Sequence, residues 1–174
     1  MEASCAQIFG ITMLVNTNLA IIIAFATPYW ILQVRGLDNF GLWADCIGGQ
    51  CTWVFENEFE LLSQRQDWFK ATQGLMSVGL GLGLIALLVA TLSLCCTCHS
   101  CNPHHPICGL LLTSCLSMAV GIVIFGVKAH DEWNIELEKG LHGSFGWSFW
   151  VGIGATALAF LTSCIYCCIG RKRY

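Results

Sequence analysis

Three long intervals of this chain contain no Asp, Glu, Lys or Arg: between Glu2 and Arg35, between Lys70 and Lys128, and between Lys139 and Arg171. A helix needs about 20 mostly apolar residues to cross the hydrocarbon core of a bilayer, so the three intervals hold one, two and one spans. Composition agrees, since only 11% of the 174 residues are charged where an ordinary soluble domain has roughly 25%. The mean hydropathy is +0.67. The pattern predicts a single four-span domain over 1–174, all-α in the membrane, with spans near 7–28, 71–95, 107–127 and 145–169. Loops 29–70 and 128–144 then lie on one side and loop 96–106 on the other. The first span is expected to stay as an anchor, because it lacks a basic n-region and its apolar run exceeds the roughly 7–15 residues of a secretory signal.

Orientation rests on Arg171, Lys172 and Arg173 directly after the last span. Basic residues in short flanking segments favour the cytoplasm. Both termini and loop 96–106 are therefore expected inside, in a multi-pass plasma-membrane protein, with loops 29–70 and 128–144 outside. Every acidic residue except Glu2 falls in the two outer loops. Glu56, Glu58 and Glu60 are the densest acidic set there, a charge that gathers cations within the roughly 8 Å reach of exposed charges in physiological salt.

The first outer loop reads as structure. Residues 30–35, 40–46 and 51–55 are short β-prone runs around turn signals, which predicts a small extracellular antiparallel sheet. A short helix over 58–70 should lead into the second span, and the alternating segment 133–138 should add a strand from the second outer loop. Among twelve cysteines, only Cys46 and Cys51 fall in the outer loops. An oxidising compartment favours a disulfide between them, and Gly48 and Gly49 supply the tight turn of a stapled hairpin.

The inner cysteines are denser. Cys95, Cys96, Cys98, Cys167 and Cys168 sit beside span ends and are candidates for reversible palmitoylation. A metal site is the rival reading for 95–108, which packs cysteines and histidines closely but without a paired C-x-x-C spacing. No metal site and no cofactor are expected. Within the spans, Gly79 and Gly83 form a GxxxG pair suited to close helix packing, and Asn16 and Asn18 are expected to hydrogen-bond to neighbouring helices. The predicted cores hold no ionisable Asp, Glu, Lys or Arg, which argues against a pump or transporter. No Ser-His-Asp arrangement, HExxH or phosphate-binding loop occurs, so no enzyme is expected.

Trp30, then Gly41-Leu42-Trp43, then Cys46 and Cys51 resemble the signature of the claudin superfamily in its first extracellular loop. The short spacer between the cysteines is similar to the branch containing peripheral myelin protein, the epithelial membrane proteins and the lens fibre membrane intrinsic protein. Residues 68–76 and 145–150 resemble that branch where it leads into the second and fourth spans. The chain departs from the pattern in having no N-x-Ser/Thr acceptor and in lacking the C-terminal Tyr-Val of many claudins.

The resemblance implies a left-handed four-helix bundle carrying an extracellular β-sheet. It also implies a structural protein of cell contacts that oligomerises through that sheet in adhesion, junctions or membrane organisation. Trp53, Val54, Phe55 and Phe59 are the expected contact surface, since aromatic residues dominate binding energetics; the rival reading lays them on the bilayer surface as part of an aromatic belt. The alternative is an auxiliary subunit of an ion channel or receptor. Expected partners are the lipid bilayer, further copies of the chain side by side or across cells, and another membrane protein such as a channel. No nucleic acid is expected to bind.

Overall fold

A computed structural model describes residues 5–33, 38–54, 66–95, 103–135 and 143–171. Four apolar helices cross the molecule: α1 (Cys5–Ala26), α2 (Asp67–Cys95), α3 (His104–Trp133) and α4 (Trp147–Arg171). Each is long and apolar enough to span a bilayer. Five short strands stand at one end: β1 (Ile31–Gln33), β2 (Asn39–Phe40), β3 (Ala44–Ile47), β4 (Gln50–Trp53) and β5 (Gly143–Phe145). They form one antiparallel sheet in the order β4-β3-β2-β1-β5.

The helix ends follow local chemistry. α1 stops at Ala26 because Pro28 disfavours the helical conformation of Thr27 before it. α3 starts at His104, earlier than the expected 107, because Pro106 falls in the first turn, where its missing N–H has no intrahelical acceptor to lose. At about 1.5 Å per residue, the 30 residues of α3 outreach a hydrocarbon core of about 30 Å.

Over 133–135 the structure departs from the expected strand. Trp133 is still helical, and Asn134 closes α3 in the left-handed conformation with φ 51°. Lys128 supports the extra turn by pairing with Glu132 one turn on, at 3.2 Å. Ile135 N–H then bonds the Ala129 carbonyl, and 136–138 lie outside the described residues. The strand that the second outer loop does contribute is β5, with Ile31 opposite Phe145. α4 consequently begins at Trp147 and not at 145. The lead-in helix over 58–70 is described only from Gln66, where 67–70 are the first turn of α2.

The helices close a ring in which α2 packs on α3, α3 on α4, and α1 on both α4 and α2. Side chains such as Phe9, Leu19, Leu88, Leu116, Val123 and Phe160 point outward. Such a surface suits lipid, so cohesion must come from close packing and interhelical hydrogen bonds. Gly79 lies against Met118 and the Ser114 carbonyl of α3, whereas Gly83 lies against the Asn18 amide of α1. The GxxxG pair is thus spent on two partners within the bundle. Hydroxyls join the same surfaces: Ser114 donates to the Gly79 carbonyl at 2.6 Å, Ser117 to the Leu75 carbonyl at 2.8 Å, and Thr17 meets Thr162 of α4 at 2.9 Å.

Asn18 behaves otherwise than expected, because its amide N–H returns to Leu14 of its own helix at 2.9 Å, while Asn16 faces outward. For the Thr17–Thr162 bond, a double-mutant cycle with valine at each position should yield a coupling of about 0.6 kcal/mol, typical of hydrogen bonds between membrane helices. Reversible unfolding in bicelles would measure it. A coupling of zero would remove this bond from the forces holding α1 to α4.

Candidate contact surface

The outer end is built around Trp30. Its indole is wholly buried, meets Phe125 edge-on at 4.9 Å and Phe149 at 5.8 Å, and donates its N–H to the Ala24 carbonyl at 2.7 Å. Its backbone is held on both sides, with Trp30 N–H bonded to Phe40 and the Trp30 carbonyl accepting from Gly146. One residue therefore joins α1, the sheet, α3 and α4.

The Gly41-Leu42-Trp43 run interrupts what the sequence suggested was one strand over 40–46, splitting it into β2 and β3. Gly41 passes so close to the end of α1 that an added Cβ would lie 2.5 Å from Pro28 Cα and 2.9 Å from the Thr27 carbonyl oxygen. Leu42 is wholly buried, and its carbonyl accepts from Gln73 Nε2 of α2 at 2.6 Å. Trp43 is half-buried with its ring 5.3 Å from Phe25 and packs on the cluster that contains Trp30. Nothing in the spacing singled out Gln73; its signal was a polar side chain inside an otherwise apolar span.

Beyond the motif, β3 and β4 form a two-residue hairpin in which Ile47 faces Gln50 and Cys46 faces Cys51. Gly48 and Gly49 take φ values of 59° and 84°, the left-handed geometry that matches such a turn to the twist of its strands. Cys46 and Cys51 are joined by a disulfide with Cα atoms 3.9 Å apart. In a hairpin of this register they fall at the close, non-hydrogen-bonded pair. Asp38 steadies the tip by accepting the Gly48 N–H at 2.8 Å. The outer strand β4 is exposed along its whole length.

The expected contact residues separate. Trp53 is 39% exposed on β4, and Ile47, which sequence reasoning passed over, is 60% exposed beside the tip. Val54 corrects the expectation: it is buried at 4% and donates its N–H to the Trp43 carbonyl, because the alternation of an extended chain turns it inward after Trp53. Phe55 and Phe59, with Glu56, Glu58 and Glu60, lie outside the described residues. Beside the sheet, Trp68 donates to Gln66 at 2.6 Å and Glu132 at 2.8 Å, and Asp67 pairs with Lys70 at 3.6 Å. Several outer acids are thus engaged within the protein.

At the opposite end Cys108 of α3 and Cys167 of α4 are joined. While that bond stands, Cys167 cannot be acylated as the sequence reading expected, since a sulfur in a disulfide cannot carry a thioester. The pairing also takes Cys108 from the proposed metal-ligand run, and among the described residues no three metal-ligating side chains converge. Cys164 and Cys168 are exposed on the outer face of α4. The side chain of Cys95, with Cys96, Cys98 and Cys101, lies outside the described residues.

A ring of four spanning helices crowned by a small disulfide-stapled antiparallel sheet defines a multi-pass membrane protein of the claudin-like class. Comparison with known proteins agrees. The family model described as PMP-22/EMP/MP20/Claudin family matches residues 4–166, and the chain belongs to that family. Similar proteins include the Danio rerio protein named p53 apoptosis effector related to PMP-22, 24% identical over 96% of this chain and 85% of that protein. Claudin-11 of Homo sapiens is 27% identical over 98% of this chain and 87% of its own length. Claudin-7 of Homo sapiens is 28% identical over 56% of this chain and 50% of its length.

Proposed function

We propose that this protein is a non-enzymatic structural component of cell contacts, assembling with further copies of itself through the outer sheet. Its termini then lie in the cytoplasm of a plasma-membrane protein, as the basic residues after α4 favour. The observation that carries the reading is the exposed edge strand β4 with Trp53, on a hairpin held rigid by the Cys46–Cys51 bond. A rigid edge with an aromatic side chain is suited to association, because it offers contact area at little cost in ordering. In this reading Phe55 and Phe59 supply further contact residues and Glu58 acts as a rim charge. Acylation at Cys95, Cys96, Cys98 and Cys168, and at Cys167 while its thiol is free, is proposed to adjust membrane partitioning.

The test is cell aggregation at matched surface expression. Trp53→Ala should weaken association by about 2 kcal/mol, roughly thirtyfold in affinity, and abolish clustering. Glu58→Gln should leave clustering largely intact, because rim charges act mainly on rate and salt dependence. Wild-type cells that fail to cluster, with the protein co-purifying with a channel whose gating it alters, would replace this reading by an auxiliary subunit.

A further inference from the structure

We propose that Cys108 and Cys167 form a reversible redox latch between α3 and α4 at the end of the bundle away from the sheet. The inference goes beyond the contact function and rests on the cytoplasmic placement of the C-terminal end proposed above.

The two helices hold the pair in bonding geometry. Their Cα atoms are 5.6 Å apart, inside the range of about 4.4–6.8 Å that a disulfide spans without backbone movement. Other contacts hold the same two helices together at this end. Ser163 of α4 donates to the Cys108 carbonyl at 3.0 Å, with its hydroxyl 3.5 Å from the Cys108 sulfur. One turn closer to the helix end, the surface of Gly170 faces the His104 side chain so tightly that an added Cβ would lie 3.2 Å from His104 Cβ. The backbone bond and the Gly170–His104 packing do not involve the bridge, so in this proposal the helices keep their register with the latch closed or open.

The two bridges among the described residues lie at opposite ends. Cys46–Cys51 is in the outer sheet, whereas Cys108 lies near the start of α3 and Cys167 four residues before Arg171. With Arg171, Lys172 and Arg173 setting the orientation, that end meets a compartment rich in reducing thiols. Disulfides there are characteristically transient. The pair is also asymmetric, with Cys167 exposed and Cys108 buried. This suits an accessible attacking sulfur and a protected resolving one.

Closing the latch takes two electrons from the two thiols, and a peroxide accepts them. The Cys167 thiolate attacks one peroxide oxygen, the O–O bond breaks, and the other oxygen leaves as water or an alcohol after taking a proton. The Cys108 thiol then attacks the Cys167 sulfenic acid, forming the S–S bond, and the hydroxyl leaves with the Cys108 proton as water. A glutathione-class thiol reopens it: its thiolate attacks Cys167 and releases Cys108 as a thiol, and a second such thiol frees Cys167 and leaves as the oxidised thiol dimer. Closure ties α3 covalently to α4 across a sequence separation of 59. It also makes oxidation and acylation mutually exclusive at Cys167.

In intact cells expressing the full chain, free thiols are blocked with a permeant alkylating agent before lysis and the peptides are mapped without reduction. At rest, Cys46–Cys51 should be bonded, with Cys108 and Cys167 mostly alkylated. After hydrogen peroxide the linked Cys108–Cys167 peptide should rise severalfold and should fall again after washout, with Cys46–Cys51 unchanged throughout. The proposal is overturned if both cysteines stay alkylated after peroxide, or if they are linked at rest as fully as Cys46–Cys51. A membrane-impermeant maleimide that labels Cys168 in intact cells would overturn it differently, through the orientation of the chain, leaving the sulfur geometry intact.

Discussion

Replacing Trp30 with alanine should cost the fold about 3–5 kcal/mol and leave little of the protein at the cell surface, because large-to-small changes at fully packed aromatics are among the costliest single substitutions. Trp30 is wholly enclosed and has aromatic edges on both Phe125 and Phe149. Its loss empties the junction at which α1, α3, α4 and the sheet meet. It also strips the Ala24 carbonyl of its indole donor at 2.7 Å, on the last turn of α1. Net stabilities of about 5–15 kcal/mol leave little margin for such a loss. Trp30→Phe separates the two contributions, since it keeps most of the ring contact and forfeits the hydrogen bond, worth about 1 kcal/mol. Surface biotinylation and thermal unfolding in detergent should both rank wild type above Trp30→Phe above Trp30→Ala. Wild-type surface levels of Trp30→Ala would show that the junction does not organise the outer end.

Sequence and structure agree where the physics is one-dimensional. Charge-free runs fix which segments can enter a bilayer, and all four helices appear where those runs lie. The Gly48-Gly49 turn was equally legible, because two adjacent residues of positive φ between extended runs leave few alternatives. Properties that depend on neighbours distant in the chain were not. Residues 40–46 alternate well enough to read as one strand, yet Leu42 plugs the bundle top and breaks it in two. Trp133 has a high strand propensity, but rings of Trp68 and Phe69 at 4.9 and 6.1 Å favour its staying helical. Val54 reads with its aromatic neighbours as surface, yet the chain turns it inward after the exposed Trp53. The Cys108–Cys167 pair depends on the axial register of two helices, which no periodicity in either one encodes.

Gly41→Ala should be nearly as damaging as the loss of Trp30, through overpacking of the kind that costs about 1–3 kcal/mol even in adaptable cores. The alanine methyl would lie 2.5 Å from Pro28 Cα, 2.9 Å from the Thr27 oxygen and 3.1 Å from the Ala44 oxygen. All three are backbone atoms, so no rotamer change relieves the contact. Either the end of α1 or the β2–β3 connection must move. Movement of that connection breaks the Gly41 N–H bond to Ala44 at 2.9 Å and draws Leu42 out of its buried seat.

Two other glycines calibrate the effect. Gly49 has φ 84° with nothing near its missing Cβ, so Gly49→Ala meets backbone strain alone, of order 1 kcal/mol. Gly74 is exposed within α2 with open space at its Cβ, and alanine there should be neutral or stabilising by about 0.5–1 kcal/mol. Melting temperatures should therefore rise in the order Gly41→Ala, Gly49→Ala, wild type, Gly74→Ala. The yield of the Cys46–Cys51 bridge should be reduced most in the first, because the hairpin hangs from the displaced connection. If Gly41→Ala melts with the wild type while the other two behave as expected, Gly41 is not the point at which the sheet is seated on the bundle.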